Sequence, residues 1–234
     1  MNPKRVRLTV TVVIIVILLA LVGRFGFTVV NIKVVEKVIK SETFDPVAYV
    51  NGIWASKLVP AFNDKAVDLG TILSEITPDA KGHVTKDALV PVAKKYGLIT
   101  AGDADEYMVK GTGKVLSLDT SSNTGSMAIQ LDGYSGPIKV AIYIGPIIPA
   151  DDTSIRDSVG FINFGDFQDQ TQYGKVAVEI NNRVVKDVIS PLNLKSLPGK
   201  TISFEGAFTI RTFNLVVIDM SQVNIVPIMI TVEQ

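Results

Sequence analysis

The side chains best suited to chemistry lie close together in the run IRDSVGFINFGDFQDQTQYG at 155–174. This run places an arginine beside an aspartate and adds aromatic and amide side chains. Such a combination is typical of a loop that binds a ligand or of a loop that its own hydrogen bonds hold in place. The candidate binding residues are Arg156, Asp157, Phe164, Asp166 and Gln170.

Two roles fit Arg156. In the first, its guanidinium donates a fork of hydrogen bonds to a carboxylate such as Asp166 and fixes the loop. In the second, Arg156 and Gln170 face a pocket and hold a sugar or a carboxylate. Phe164 or Phe167 would then supply an apolar platform. The sequence leaves both roles open and favours the first, because a loop that leads into a helix needs positioning whatever the protein does.

Other groupings that could do chemistry are weaker. The lone His83 has no second ligand near it and no G-x-S-x-G motif occurs, so neither a zinc site nor a hydrolase triad is supported. The aspartates at 151, 152 and 157 share one loop and could pair as general acid and base, but a solvated loop is the simpler interpretation. The acids at 103, 105 and 106 lack a calcium-loop pattern and are interpreted as hydrated turn residues. We predict no catalytic residue, no metal site and no cofactor.

Composition limits the partners further. Cysteine is absent from the 234 residues, which excludes disulfides, thiolate metal sites and a lipidated N-terminal cysteine. Residues 1–24 hold four basic and no acidic side chains, so the rest of the chain has 19 basic against 23 acidic residues. A mildly acidic body is a poor binder of nucleic acid. No nucleic acid partner is therefore predicted, and the oligomeric state is left open.

An apolar run without charges at 8–23 lies between Arg7 and Arg24. Spanning a bilayer takes about 17–25 helical residues, so this run suffices if a flanking arginine reaches the interface. A cleaved signal peptide is the alternative, but a cut after Gly23 would leave Leu21 where a small residue is needed. We favour an uncleaved, single-pass anchor. Basic residues on both sides only weakly favour a cytoplasmic N-terminus with the body outside.

Helical spacing of apolar residues follows the apolar run. Asp45 before Pro46 predicts a helix N-cap, and Pro60 predicts the end of that segment. A further helix at about 85–96 is expected to end at Gly97.

Strand patterns begin at position 107. Three strands are predicted in YMVKGTGKVLSL, SMAIQL and GPIKVAIYIG, then an amphipathic helix with Asp166 as its N-cap, then at least two strands in PGKTISFEGAFTI and NLVVIDMSQVNIVPIMITVE. This is the element order of the OB barrel, whose helix lies between strands three and four. Glycines at 111 and 113 fit a long, bent first strand. An unrelated mixed α+β sheet would have the same order.

Several segments carry a family resemblance: GTGKV (111–115), IGPII (144–148), INFGDFQDQTQYGKVAVEIN (162–181) and GKTISFEGAF (199–208). With these the chain resembles the bacterial DUF2291 family over roughly 45–232. The resemblance implies a periplasmic or membrane-anchored protein without an assigned activity, often encoded beside sugar ABC-transporter components. The residues that match the family pattern are Gly145, Pro146, Arg156, Asp157, Phe164, Asp166, Phe167 and Gln170. Pro149 and Ala150 depart from it where Arg-Gly is usual, and the absent cysteine implies a helical anchor in place of a lipid.

Together these patterns predict an α+β protein with a basic tip and transmembrane helix at 1–30, a short helical membrane-proximal segment at 31–104 and an OB-like five-stranded β-barrel at 105–234. We expect a non-enzymatic accessory or binding protein, anchored in the cytoplasmic membrane through 8–23, with its C-terminal domain outside the cytoplasm. From the resemblance, its expected partners are subunits of a carbohydrate ABC transporter. The alternative is a small-molecule binding domain or an unrecognised enzyme that uses residues 156–170.

Overall fold

The computed structural model describes residues 13, 15–17, 24, 33, 44–100 and 104–233. The contacts divide the chain into two compact units, Met1–Thr43 and Phe44–Gln234. The predicted anchor at 8–23 falls outside the described residues except at positions 13 and 15–17, where the backbone is helical. Among the residues described, no helix is long and apolar enough to cross a bilayer, so the single-pass anchor stays a prediction.

The second unit begins with a helix at the predicted cap. The Asp45 carboxylate accepts hydrogen bonds from the N–H groups of Val47 at 2.9 Å and Ala48 at 3.1 Å. A proline then occupies the first turn, where its missing N–H costs nothing. Helix α1 is therefore Pro46–Ile53, as the sequence predicted at its start.

The prediction that Pro60 ends this segment is wrong. The chain continues through a π-helical turn, Trp54–Leu58, into α2 (Val59–Lys65). In that turn the Val59 N–H bonds the Trp54 carbonyl, five residues back. This wider turn leaves room for the ring of Pro60, which has no N–H to donate.

Short elements connect α2 to the main sheet. They are β1 (Val67–Asp68), α3 (Leu69–Ser74), β2 (His83–Thr85), α4 (Lys86–Tyr96) and β3 (Leu98–Ile99). The end of α4 confirms the helix predicted before Gly97, whose N–H bonds the Ala93 carbonyl at 2.9 Å. His83, the lone histidine, lies in the short strand β2.

Within the part of the chain that the structure describes, the main sheet has seven strands. Its larger members are β4 (Ala104–Asp119), β5 (Ser126–Leu131), β6 (Lys139–Tyr143), β7 (Thr201–Arg211) and β9 (Gln222–Val232). β4 pairs antiparallel with β5 and β7, β5 with β6, and β7 with β9, while β6 and β9 run parallel. The pairings of these five strands therefore close a ring.

The predicted order of three strands, a helical region and two strands is confirmed, but the sheet is not the plain five-stranded barrel that was expected. Two short strands, β1 and β3, also pair with β4. β8 (Val217–Asp219) lies outside the main sheet and pairs with β2. Gly113 is one of the two glycines expected to bend β4. A side chain does not fit there, because a Cβ would lie 2.5 Å from the Gln130 carbonyl oxygen.

The region between β6 and β7 holds the residues with candidate chemistry. It contains α5 (Ser154–Ser158), a 3-10 turn (Phe164–Asp166), α6 (Gln170–Arg183), a π-helical turn (Val184–Ile189) and a second 3-10 turn (Leu194–Ser196). The predicted N-cap of α6, Asp166, is wrong by three residues. Asp169 caps this helix, because its carboxylate accepts from the Gln172 N–H at 2.9 Å.

One hydrophobic core joins the helices to the sheet. Trp54, Leu58 and Phe62 from the first helices lie in the same buried cluster as Phe204 and Ile225 from β7 and β9. α1 also contacts α6. Position 104 is the predicted boundary between the helical segment and the barrel. Side chains from before and after it pack in one core within the compact unit Phe44–Gln234.

Candidate binding groove

A buried ion pair is the centre of the site. Arg156 and Asp157 are neighbours in α5, and the Arg156 fork closes on the Asp157 carboxylate with Nε–Oδ1 at 2.7 Å and Nη2–Oδ2 at 2.8 Å. The side chains are only 8% and 14% exposed. Bidentate geometry is the strong form of this interaction, and burial limits screening by water. The sequence predicted the fork and gave Asp166 as one example of its acceptor; the acceptor is Asp157.

Both oxygens of the Asp157 carboxylate are fully used. Oδ1 also accepts from the Tyr173 hydroxyl at 2.8 Å, and Oδ2 accepts from the Thr153 hydroxyl at 2.6 Å. With the two bonds from Arg156, each oxygen accepts two donors, which fills the lone-pair directions of a carboxylate. Asp157 therefore has no acceptor position left for a substrate proton.

Tyr173 lies on α6 and holds the arginine from the other side. The Arg156 guanidinium carbon is 3.6 Å from the centre of the Tyr173 ring, and Nη1 donates to the Tyr173 carbonyl at 3.1 Å. Burial and the hydrogen bond to Asp157 raise the pKa of the Tyr173 hydroxyl to about 12. Tyr173 is not among the candidate binding residues that the sequence indicated. Its position one helical turn after Gln170 was the signal that could have placed it at the site.

An open groove of about 740 Å³ lies beside the ion pair. We call it the Arg156 groove; its polar and aromatic lining includes Arg156, Asp157, Asn163, Phe164, Gln170 and Tyr173, together with Thr100. Four of the five predicted site residues are thus brought together. The Phe164 ring is 54% exposed and stands at 85° to the Tyr173 ring, with 5.7 Å between centroids.

Asp166 is the predicted site residue that does not line the groove. It ends the 3-10 turn, where its Oδ2 accepts from the Asn163 N–H at 3.3 Å and so closes the turn before α6. Phe167 is not a platform either. Its ring packs against Phe44, Tyr49 and Tyr173, with centroids 5.7, 5.3 and 5.5 Å away. The aromatic platform of the groove is therefore Phe164.

A family model described as "Predicted periplasmic lipoprotein (DUF2291)" matches residues 13–231. The chain belongs to the DUF2291 family. The resemblance inferred from the sequence is thereby confirmed, and the family's description agrees with the expected extracytoplasmic location. Among curated proteins, no match to this DUF2291 chain was found.

Among solved structures, the DUF2291 chain is similar to an OB-fold protein from Thermotoga maritima. The TM-score is 0.60 and the sequences are 17% identical, over 81% of this chain and 99% of that one. At this identity the likeness shows the fold alone. The structural neighbour supports the OB-like order of strands.

Further titratable side chains of this DUF2291 protein lie next to the groove network. Glu106, on β4, is only 2% exposed and accepts a 2.5 Å hydrogen bond from the Thr209 hydroxyl. Burial raises the pKa of Glu106 to about 8, and the negative charges of Asp157 and Asp152 act in the same direction. The prediction of a hydrated turn acid at this position is wrong, because the strand carries Glu106 into the interior.

The aspartates predicted to share a loop separate into different environments. Asp151 binds the Arg211 guanidinium at 3.0 Å, and this bond lowers the pKa of its carboxyl. Burial instead raises the pKa of Asp152. The third, Asp157, belongs to the arginine fork. Among the described residues, no group of histidine, cysteine, aspartate and glutamate side chains is arranged to hold a metal ion.

Proposed function

We propose that this DUF2291 protein is a non-enzymatic accessory protein, anchored in the bacterial cytoplasmic membrane through 8–23 with its body outside the cytoplasm. The family description as periplasmic supports the location. In the apolar run, the described residues Ile15, Val16 and Ile17 are helical and 50–58% exposed. Large exposed apolar side chains need a covering surface, which a bilayer would supply.

Single-cysteine labelling tests the anchor and its orientation, because the natural chain has no cysteine. Ser135→Cys places a thiol in an exposed turn between β5 and β6. Its matched control is Asn2→Cys, which precedes the apolar run. In spheroplasts, a membrane-impermeant maleimide should label Ser135→Cys at once and Asn2→Cys only after lysis. Equal labelling of both variants in intact spheroplasts, or recovery of the chain without membranes, would contradict the proposal.

The second candidate function is binding of a small molecule in the Arg156 groove. Its support is the convergence of Arg156, Asp157, Phe164 and Gln170 on one depression of a size common for ligand sites, about 300–1,000 Å³. Binding fits this geometry better than catalysis does, because every acceptor position of Asp157 is already engaged. A general base must be able to accept a proton from its substrate.

The proposed protein partner is a carbohydrate ABC transporter, and its support is the gene neighbourhood that the family resemblance implies. Two measurements on the full chain separate this partner role from the small-molecule role. A ligand that raises the unfolding midpoint supports binding in the groove. Co-purification of the transporter subunits after cross-linking supports the accessory role, whereas absence of both would leave a structural protein of the envelope.

We also propose that the five strands that pair in a ring form an OB-type barrel, with α5 and α6 between its third and fourth strands. The ring of pairings and the likeness to an OB-fold protein support it. In such a barrel the helical region would present the Arg156 groove at one end.

A further inference from the structure

We propose that the Arg156 groove selects a small, uncharged, polyhydroxylated ligand, such as a single sugar ring, and rejects carboxylates. This inference rests on the small-molecule function proposed above and names its ligand class.

The charges at the groove cancel each other. Arg156 and Asp157 are the charged residues that line it, and the guanidinium binds that carboxylate at 2.7 and 2.8 Å. An incoming anion would reach only the second N–H of each Nη, on a guanidinium whose charge the buried Asp157 carboxylate already neutralises. A cation would find the Asp157 oxygens already occupied by Thr153 and Tyr173 as well as by Arg156. Neither sign of charge is therefore favoured in a ligand.

Hydrogen-bonding groups remain available for a neutral ligand. Arg156 uses one N–H on each of its three nitrogens, so each Nη keeps a second N–H that no described residue accepts. The Gln170 side chain is exposed at the groove and makes no hydrogen bond to another described residue. Its amide both donates and accepts, as a hydroxyl does. These groups suit a ligand that carries several hydroxyls.

Phe164 supplies the apolar contact. Its ring is more than half exposed, and the edge-to-face contact with Tyr173 holds it beside the ion pair. A sugar ring combines hydroxyl edges with a face of C–H groups, and such a face packs on an aromatic ring. A flat apolar molecule would use Phe164 alone and leave the Gln170 amide and the Arg156 N–H groups unpaired, which is costly once water is excluded.

The test is isothermal titration calorimetry on the full chain, kept in a detergent without a sugar headgroup. The probes are glucose, galactose and xylose, with glucuronate and galacturonate as matched anions. We expect a neutral sugar to bind and its uronate to bind at least about tenfold more weakly. Phe164→Ala should weaken sugar binding about three- to tenfold. Gln170→Ala should weaken it about fivefold. Both residues are exposed, so these variants should fold.

Phe213→Ala is the matched control, because this phenylalanine is 63% exposed and does not line the groove. Its sugar affinity should equal that of the natural chain. A uronate that binds as tightly as its neutral counterpart would overturn the ligand class and leave the groove as a binding site. Sugar binding that both groove variants leave unchanged would overturn the groove function itself. Absence of binding by every probe would overturn the inference, and the membrane labelling would still decide the accessory role.

Discussion

Replacing Glu106 with glutamine should stabilise the protein at neutral pH and remove part of its pH dependence. The folded chain holds the pKa of Glu106 at about 8, against an ordinary value of 4.5. Between these values the unfolded chain releases a proton that the folded chain retains. The free energy of unfolding therefore falls by about 1.4 kcal/mol per pH unit as pH rises. The full contribution is present below pH 4.5, and no further loss occurs above pH 8.

From pH 5 to pH 7 this group alone should remove about 2–3 kcal/mol of stability. Glutamine carries no charge, and its amide oxygen can still accept the Thr209 hydrogen bond. The natural chain and the variant should therefore differ little at pH 4.5 and diverge as pH rises. Trp54 is the single tryptophan and is buried, so its fluorescence can follow urea unfolding of the full chain in a mild detergent.

The matched control for this prediction is Glu233→Gln, which removes the same charge from an exposed position after β9. That variant should keep the slope of the natural chain between pH 5 and pH 7. If Glu106→Gln also keeps that slope, the carboxyl is ionised in the folded protein, and the argument from its burial is refuted.

Three further predictions concern packing. Asp157→Asn should cost about 3–5 kcal/mol, because it leaves the buried Arg156 guanidinium without its counter-ion. Asp187→Asn, which breaks an exposed ion pair, should cost less than about 1 kcal/mol in the same urea titration. Gly113→Ala should destabilise the sheet, since the new methyl would lie 2.5 Å from a carbonyl oxygen of β5, and amide hydrogen exchange in β4 and β5 should rise. Leu58→Ala should cost about 2–5 kcal/mol and keep a single unfolding transition, because Leu58 shares one core with the sheet; two transitions would mean separate domains.

Local signals in the sequence located the helices and strands well where the cause of the structure is itself local. Asp45 caps α1 with its own side chain, and Gly97 follows the last turn of α4. The π-helical turn before Pro60 could not be foreseen in the same way. Continuing past a proline is favourable only because Leu58 and Phe62, on either side of it, are both completely buried in the core. The two-residue strands β1 and β3 carry no periodicity, so only their pairing with β4 reveals them.

The candidate site, too, was predictable only where its signals are local in the sequence. The residue types of Arg156, Phe164 and Gln170 were visible in the sequence, and the structure brings them to one groove. Asp157, which holds Arg156, was visible as its neighbour, but the contacts made by Tyr173 and Glu106 were not, because these residues come from other elements of the fold. Tyr173 reaches Arg156 only when α6 packs against α5, and Glu106 approaches Asp157 only because β4 passes beneath α5. Contacts of this kind depend on tertiary packing and have no short-range pattern.

The structure also changes the choice between a structural and a binding role for Arg156. The sequence treated them as alternatives, yet one guanidinium can serve both, because Asp157 and the Tyr173 carbonyl occupy one N–H on each of its nitrogens. Those bonds fix the side chain before any ligand arrives, and a donor that is already immobilised loses less entropy on binding. The two roles separate experimentally: Asp157→Asn should lower stability, whereas Gln170→Ala should lower ligand affinity and leave the unfolding midpoint unchanged. If Gln170→Ala loses as much stability as Asp157→Asn does, the residues of the Arg156 groove serve to stabilise the fold and not to bind a ligand.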